Sequence, residues 1–121
     1  MKYMLLIYNN PATIEGLSEQ ERAAVMGEVD AIMAELADTG ELVDGNGLAH
    51  PSTAKTVRLQ GGAVAATDGP FAEAKEQFAG YLTVDCESEE RAVEIALRWP
   101  DPRIGGAVEV RAVMDAAGAE M

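Results

Sequence analysis

The chain has 121 residues, with 21 acidic and 9 basic side chains and a formal net charge of −12 at pH 7. That length suits a single domain, residues 1–121, and that charge repels phosphate backbones, so nucleic acid is not an expected partner. No apolar stretch nears the roughly 20 residues that span a bilayer, and the run from Tyr3 to Tyr8 is too short for a signal-peptide core, so the expectation is a cytoplasmic protein without membrane attachment.

Residues 2–8 are apolar on both alternating sides, the pattern of a strand covered on both faces. In a domain this small one set of helices covers one sheet face. The other face calls for a second copy of the chain, so a homodimer is expected. After a loop through Pro11 and Gly16, Ser18 with Glu21 three residues on forms a capping-box signature for a long helix. Val25, Val29, Ile32, Met33 and Leu36 recur there at helical spacing, and Gly40 is a natural C-terminal cap. The many acids of residues 15–44 read as a solvated helix face that keeps the protein soluble.

Residues 41–48 return as a short strand, with a bulge or turn near Asp44-Gly45-Asn46-Gly47. Residues 56–67 form a hairpin about Gly61-Gly62. Asp68-Gly69-Pro70-Phe71 is a turn, and residues 72–77 have the composition of one or two helical turns. Residues 78–84 alternate as a half-buried strand, with Phe78, Gly80, Leu82 and Val84 on one side. Ser88 caps a second helix whose apolar face is Ala92, Ile95, Ala96 and Trp99, and Pro100 and Pro102 end it. Residues 107–113 make a last strand, with Val108, Val110 and Ala112 on one face and Glu109 and Arg111 on the other. The order predicts an α+β fold: a ferredoxin-like sheet, β-α-β-β-β-α-β when the hairpin is taken as one element, with both helices on one face.

The stretch Asp68-Gly69-Pro70-Phe71-Ala72-Glu73-Ala74-Lys75-Glu76-Gln77-Phe78-Ala79-Gly80-Tyr81 resembles the signature of the DGPF branch of the YCII-related family. The resemblance extends over nearly the whole chain, from Met1-Lys2-Tyr3-Met4 through Thr56-Val57-Arg58 and Trp99-Pro100 to Val108-Glu109-Val110-Arg111. It implies a dimeric α+β barrel in which two ferredoxin-like sheets face each other across a cleft. In that family a His on the first helix and an Asp just after the second are regarded as an acid–base pair. Aligning the helix ends puts Val29 where that His would stand and Asp101 where that Asp would stand, so only half of the pair carries over. Some members of the branch are joined to transcription sigma factors, which implies an accessory or regulatory role as the alternative.

His50 is the only side chain that titrates naturally near neutrality, and it sits alone in the loop Leu48-Ala49-His50-Pro51, where a surface role is expected. Asp68 reads first as an Asx turn. Otherwise Asp68, Glu73, Lys75 and Glu76 project into the cleft between subunits, with Lys75 lowering the carboxylate pKa values or binding an anionic ligand. Asp68 and Asp101 are thus the candidate catalytic carboxylates. Glu109 and Arg111 suit an ion pair; alternatively Arg111 and Arg103 grip a carboxylate or phosphate, with Tyr8 leaning into the same cleft. Cys86 is expected to be a structural thiol. One His and one Cys make no ordinary metal set, and Gly61-Gly62 and Gly105-Gly106 lack the spacing of a phosphate loop, so neither metal nor cofactor is expected. The functional expectation is a homodimer that binds a small metabolite at the subunit interface, with cofactor-free acid–base chemistry of a lyase, isomerase or hydrolase type.

Overall fold

A computed structural model describes all 121 residues. Strand β1 (Lys2–Asn9) leads through a short helix α1 (Pro11–Glu15) into the long helix α2 (Glu19–Thr39), then β2 (Leu42–Gly47). A hairpin of β3 (Lys55–Gln60) and β4 (Ala63–Asp68) precedes β5 (Gln77–Asp85), α3 (Glu89–Arg98) and β6 (Ala107–Ala112). Four strands form an antiparallel sheet in the order β2-β5-β1-β6, the ferredoxin-like arrangement, while β3 and β4 pair only with each other.

The alternation of β1 explains the layers. Tyr3, Leu5 and Ile7 are buried and meet Leu82 and Val84 of β5, Ile32 and Leu36 of α2, and Ala92, Ile95, Ala96 and Trp99 of α3 in one core. Met4, Leu6 and Tyr8 point to the opposite face, which no helix covers, and remain half-buried.

Local chemistry sets the helix ends. Ser18 accepts from the Glu21 backbone while Glu21 accepts from the Ser18 backbone, closing the expected capping box, and Gly40 terminates α2 at φ 78°. Ser88 caps α3 by accepting from the Arg91 backbone. Glu41, just after α2, accepts two hydrogen bonds from Arg91, from Nε and Nη2 at 2.9 Å each, and so ties β2 to α3.

Three details differ from the sequence reading. The loop after Pro11 begins as a helical turn, because Asn10 caps it and Pro11 occupies a first-turn position that needs no N–H. Residues 72–77 are not helical: the Gln77 side-chain amide donates to Ala72 O at 2.9 Å and Ala74 O at 2.8 Å, taking carbonyls that a helix would use, and Gln77 itself opens β5. Phe78 leaves the side shared by Gly80, Leu82 and Val84, since a bulge lets it pair with Tyr8 while Gly80 pairs with Ile7. The second bulge falls between Leu42 and Asp44, and β2 continues unbroken through Gly45 and Gly47.

Candidate functional site

A cavity of about 330 Å³ lies between α2 and the inner face of the sheet. It exists because of glycine. Gly45 pairs with Leu82 and Gly47 with Gly80 across the β2–β5 ladder, so side chains are missing from the sheet where α2 passes over it. A Cβ on Gly45 would lie 3.3 Å from Met33 Cε, which places that glycine directly under the helix. Val25, Met26, Val29 and Met33 of α2 form the roof, with Ile14 and Leu17 at one side and Trp99 and Asp101 at the end.

Asp101 is held there by its backbone. Pro100 ends α3, and Asp101 starts a 3-10 turn that runs to Ile104 and is closed by Gly105 at φ 84° and by Gly106 N donating to Asp101 O at 2.9 Å. A Cβ on Gly106 would sit 2.3 Å from Tyr8 O, so only glycine lets this turn lie against β1. Asp101 thereby stands beside Asn9, whose Nδ2 donates to its Oδ2 at 3.4 Å. Only 7% of Asp101 is exposed. Burial raises its carboxyl above the ordinary range, with hydrogen bonds from Asn9 and Trp99 pulling the other way. A buried carboxyl shifted toward neutrality, at the end of an apolar cavity, can hold or release a proton and can orient one polar group of a bound molecule.

The other candidate residues lie elsewhere. Asp68 ends β4 with its side chain 88% exposed, and its carboxylate binds Lys55 Nζ at 2.5 Å instead of the backbone donors of an Asx turn. Tyr8, Lys75 and Glu76 do come together, around an open depression with Asn10, Ala74 and Gly105, and Tyr8 packs on Phe78 with ring centroids 5.6 Å apart. Glu73 is exposed in the preceding loop. Arg103 pairs with Glu28 of α2, whereas Arg111 is exposed on the uncovered face of β6 next to Glu109, so the two arginines do not share a site. His50 is a loop residue: Nδ1 accepts from the Ser52 backbone at 3.1 Å and Nε2 meets Glu15 Oε1 at 2.9 Å. Cys86 is buried, and burial pushes its thiol up, away from the reactive thiolate. No group of three or more His, Cys, Asp or Glu side chains is placed to hold a metal ion. No helix is long and apolar enough to cross a membrane.

Of the sequence candidates, then, Asp101 alone faces the cavity beneath α2, and Val29 lines that same cavity. Asn9, Trp99 and the glycine floor were not singled out. Gly45 and Gly47, two apart in a strand, were the available signal, since that spacing removes two side chains from one face.

The family model of the YCII-related domain matches residues 1–117. An uncharacterized protein of Rhizobium meliloti (strain 1021) is 33% identical over 96 residues, which cover 79% of this chain and 77% of that protein. With the match spanning all three helices, both sheets and the turn that carries Asp101, the chain belongs to the YCII-related family.

Proposed function

We propose that this protein binds a small, mostly apolar molecule in the cavity beneath α2 and exchanges a proton with it through Asp101. The observation that carries this reading is the buried Asp101 carboxyl at the wall of an otherwise largely apolar cavity. Val29 supplies no second acid or base, so the chemistry that fits is one a lone carboxyl completes by itself: it takes a proton at one atom and returns it at another, as in an isomerisation. The test is thermal-shift screening against a metabolite library with the wild type, Asp101→Asn and Asp68→Asn. A ligand present at 100 times its Kd adds about 2.7 kcal/mol to stability. The expected result is a compound that stabilises the wild type and Asp68→Asn equally but loses its effect on Asp101→Asn. A library in which nothing raises the wild-type melting temperature refutes the reading.

We further propose that two copies pair through the uncovered sheet face, closing the barrel around a shared interior. The support is the row of Met4, Leu6 and Tyr8, with Glu109 and Arg111 opposite Leu6 and Met4 on the neighbouring strand. Under a two-fold axis Glu109 of each copy can meet the other's Arg111, so the face is self-complementary in charge as well as apolar. Sedimentation at micromolar concentration should show a dimer that Leu6→Asp dissociates; a well-folded wild-type monomer contradicts the pairing.

One feature favours a second reading, an accessory module acting in sigma-factor transcription control through protein contacts. Val57, Leu59 and Val64 of the hairpin are 64%, 67% and 72% exposed on one face. Titration of the chain against a sigma factor, with Leu59→Lys as the control, tests it; equal binding by both proteins excludes the hairpin as the docking element.

A further inference from the structure

The charges around the cavity bear on the kind of molecule it takes. Asp101 is the only carboxylate on its wall, and no Lys, Arg or His forms an ion pair with it. Its side-chain hydrogen bonds come from neutral groups, Trp99 and Asn9, the latter long at 3.4 Å. Arg22, the one cation on the wall, directs Nη2 to Ile14 O at 3.2 Å and Glu15 O at 3.4 Å and forms no ion pair with Asp101. A carboxylate buried without a cation is costly to keep charged, and supplying the missing positive charge relieves that cost. An anion entering the cavity would meet the Asp101 carboxylate, against the field of a chain of net charge −12.

Resting on the cavity reading above, we propose that the ligand is a small organic cation, an ammonium or amidinium group paired with Asp101 and carrying an apolar body of about one ring against Val29 and Met33. Asn9 stands beside the pair, and its side-chain oxygen can accept a second ammonium hydrogen. The pair also permits the proton exchange proposed above: the N–H bond breaks, the proton passes to the Asp101 carboxylate, and the amine keeps the electron pair as a neutral base.

Three probes of nearly equal shape separate charge from shape: 2-phenylethylamine, 2-phenylethanol and phenylacetate, titrated calorimetrically at pH 7.5 into wild type, Asp101→Asn and Val29→Phe. The wild type is expected to bind the amine at least about tenfold tighter than the alcohol, with no binding of phenylacetate. Asp101→Asn should bring the amine down to the level of the alcohol while leaving the alcohol unchanged, which also shows that the variant is folded. Val29→Phe, which fills the cavity, should abolish both. If the alcohol binds the wild type as tightly as the amine, or Asp101→Asn leaves amine affinity intact, the cationic class is wrong while the cavity reading stands. Amine binding that survives Val29→Phe assigns it to the acidic surface and overturns the proposal, and failure of all three probes to bind the wild type removes it.

Discussion

Replacing Glu41 by Gln should cost stability in a way that depends on pH. The Arg91 guanidinium grips the Glu41 carboxylate with two bonds of 2.9 Å, Thr39 Oγ1 donates a third of 2.8 Å, and the two charged side chains are only 17% and 20% exposed. Arg91 holds the Glu41 carboxyl down from its ordinary 4.5 to about 2. At about 1.4 kcal/mol per pH unit, that difference sets a ceiling near 3.5 kcal/mol on what the ionised carboxylate contributes. The pair reaches solvent along one side, so screening reduces this to about 2 kcal/mol. The folded-state value lies below the unfolded one, so the contribution is complete above about pH 4.5 and is lost as the pH falls toward 2. For a domain of this size about 2 kcal/mol corresponds to roughly 8 °C in Tm. Denaturant titrations of wild type and Glu41→Gln at pH 7 and pH 2 should therefore show a gap of about 2 kcal/mol that closes in acid. A gap of the same size at both pH values would show that Glu41 acts by packing, and the electrostatic argument would fail.

Asp101 has the opposite sign. Its folded-state pKa is raised, so the chain should lose stability as the pH climbs from about 4 through that value; Asp101→Asn should therefore be the more stable protein at pH 8 and show no advantage at pH 3, and a variant less stable at pH 8 contradicts the burial argument. Gly80→Ala should destabilise by about 1–3 kcal/mol, because the new Cβ would lie 2.9 Å from Asn46 O and 3.1 Å from Gly47 Cα, and β2 would have to move; thermal unfolding measures this, and a neutral result would mean that the cavity floor is more yielding than its ladder suggests. Ser18→Ala should cost about 1 kcal/mol by removing the acceptor at the start of α2, read by melting followed in the far-UV.

The elements that the sequence made legible are those with a local physical cause. The capping box at Ser18 and the apolar stripe from Ala92 to Trp99 each state their environment in consecutive residues, and the structure agrees with them; the strand at Tyr3–Tyr8 also forms, with Tyr3, Leu5 and Ile7 in the core and Met4, Leu6 and Tyr8 on the face that no helix covers. Residues 72–77 misled because their helical composition yields to one side chain, that of Gln77 at the end of the segment, which claims the carbonyls of Ala72 and Ala74. Phe78 misled because a bulge shifts strand parity and cannot be seen in alternation alone. For the site, Asp101 was reached through a family resemblance. What makes it chemically distinctive, its burial beside Asn9 and the hollow left by Gly45, Gly47 and Gly80, depends on contacts between residues far apart in the chain.

The hairpin carries a consequence for how this chain can change. Gly47 faces Gly80 across the ladder, and Leu48 N donates to Ala79 O at 2.8 Å, so the backbone departs from the sheet and rejoins it at adjacent points. Everything from 48 to 76 is therefore a detour hung from one corner of an otherwise closed circuit. A shortcut of a few turn residues should leave the remaining strands and both long helices able to assemble, with far-UV spectra and cooperative melting as the check. Such a graft site lets the excursion lengthen, shrink or acquire new contacts without renegotiating the interior.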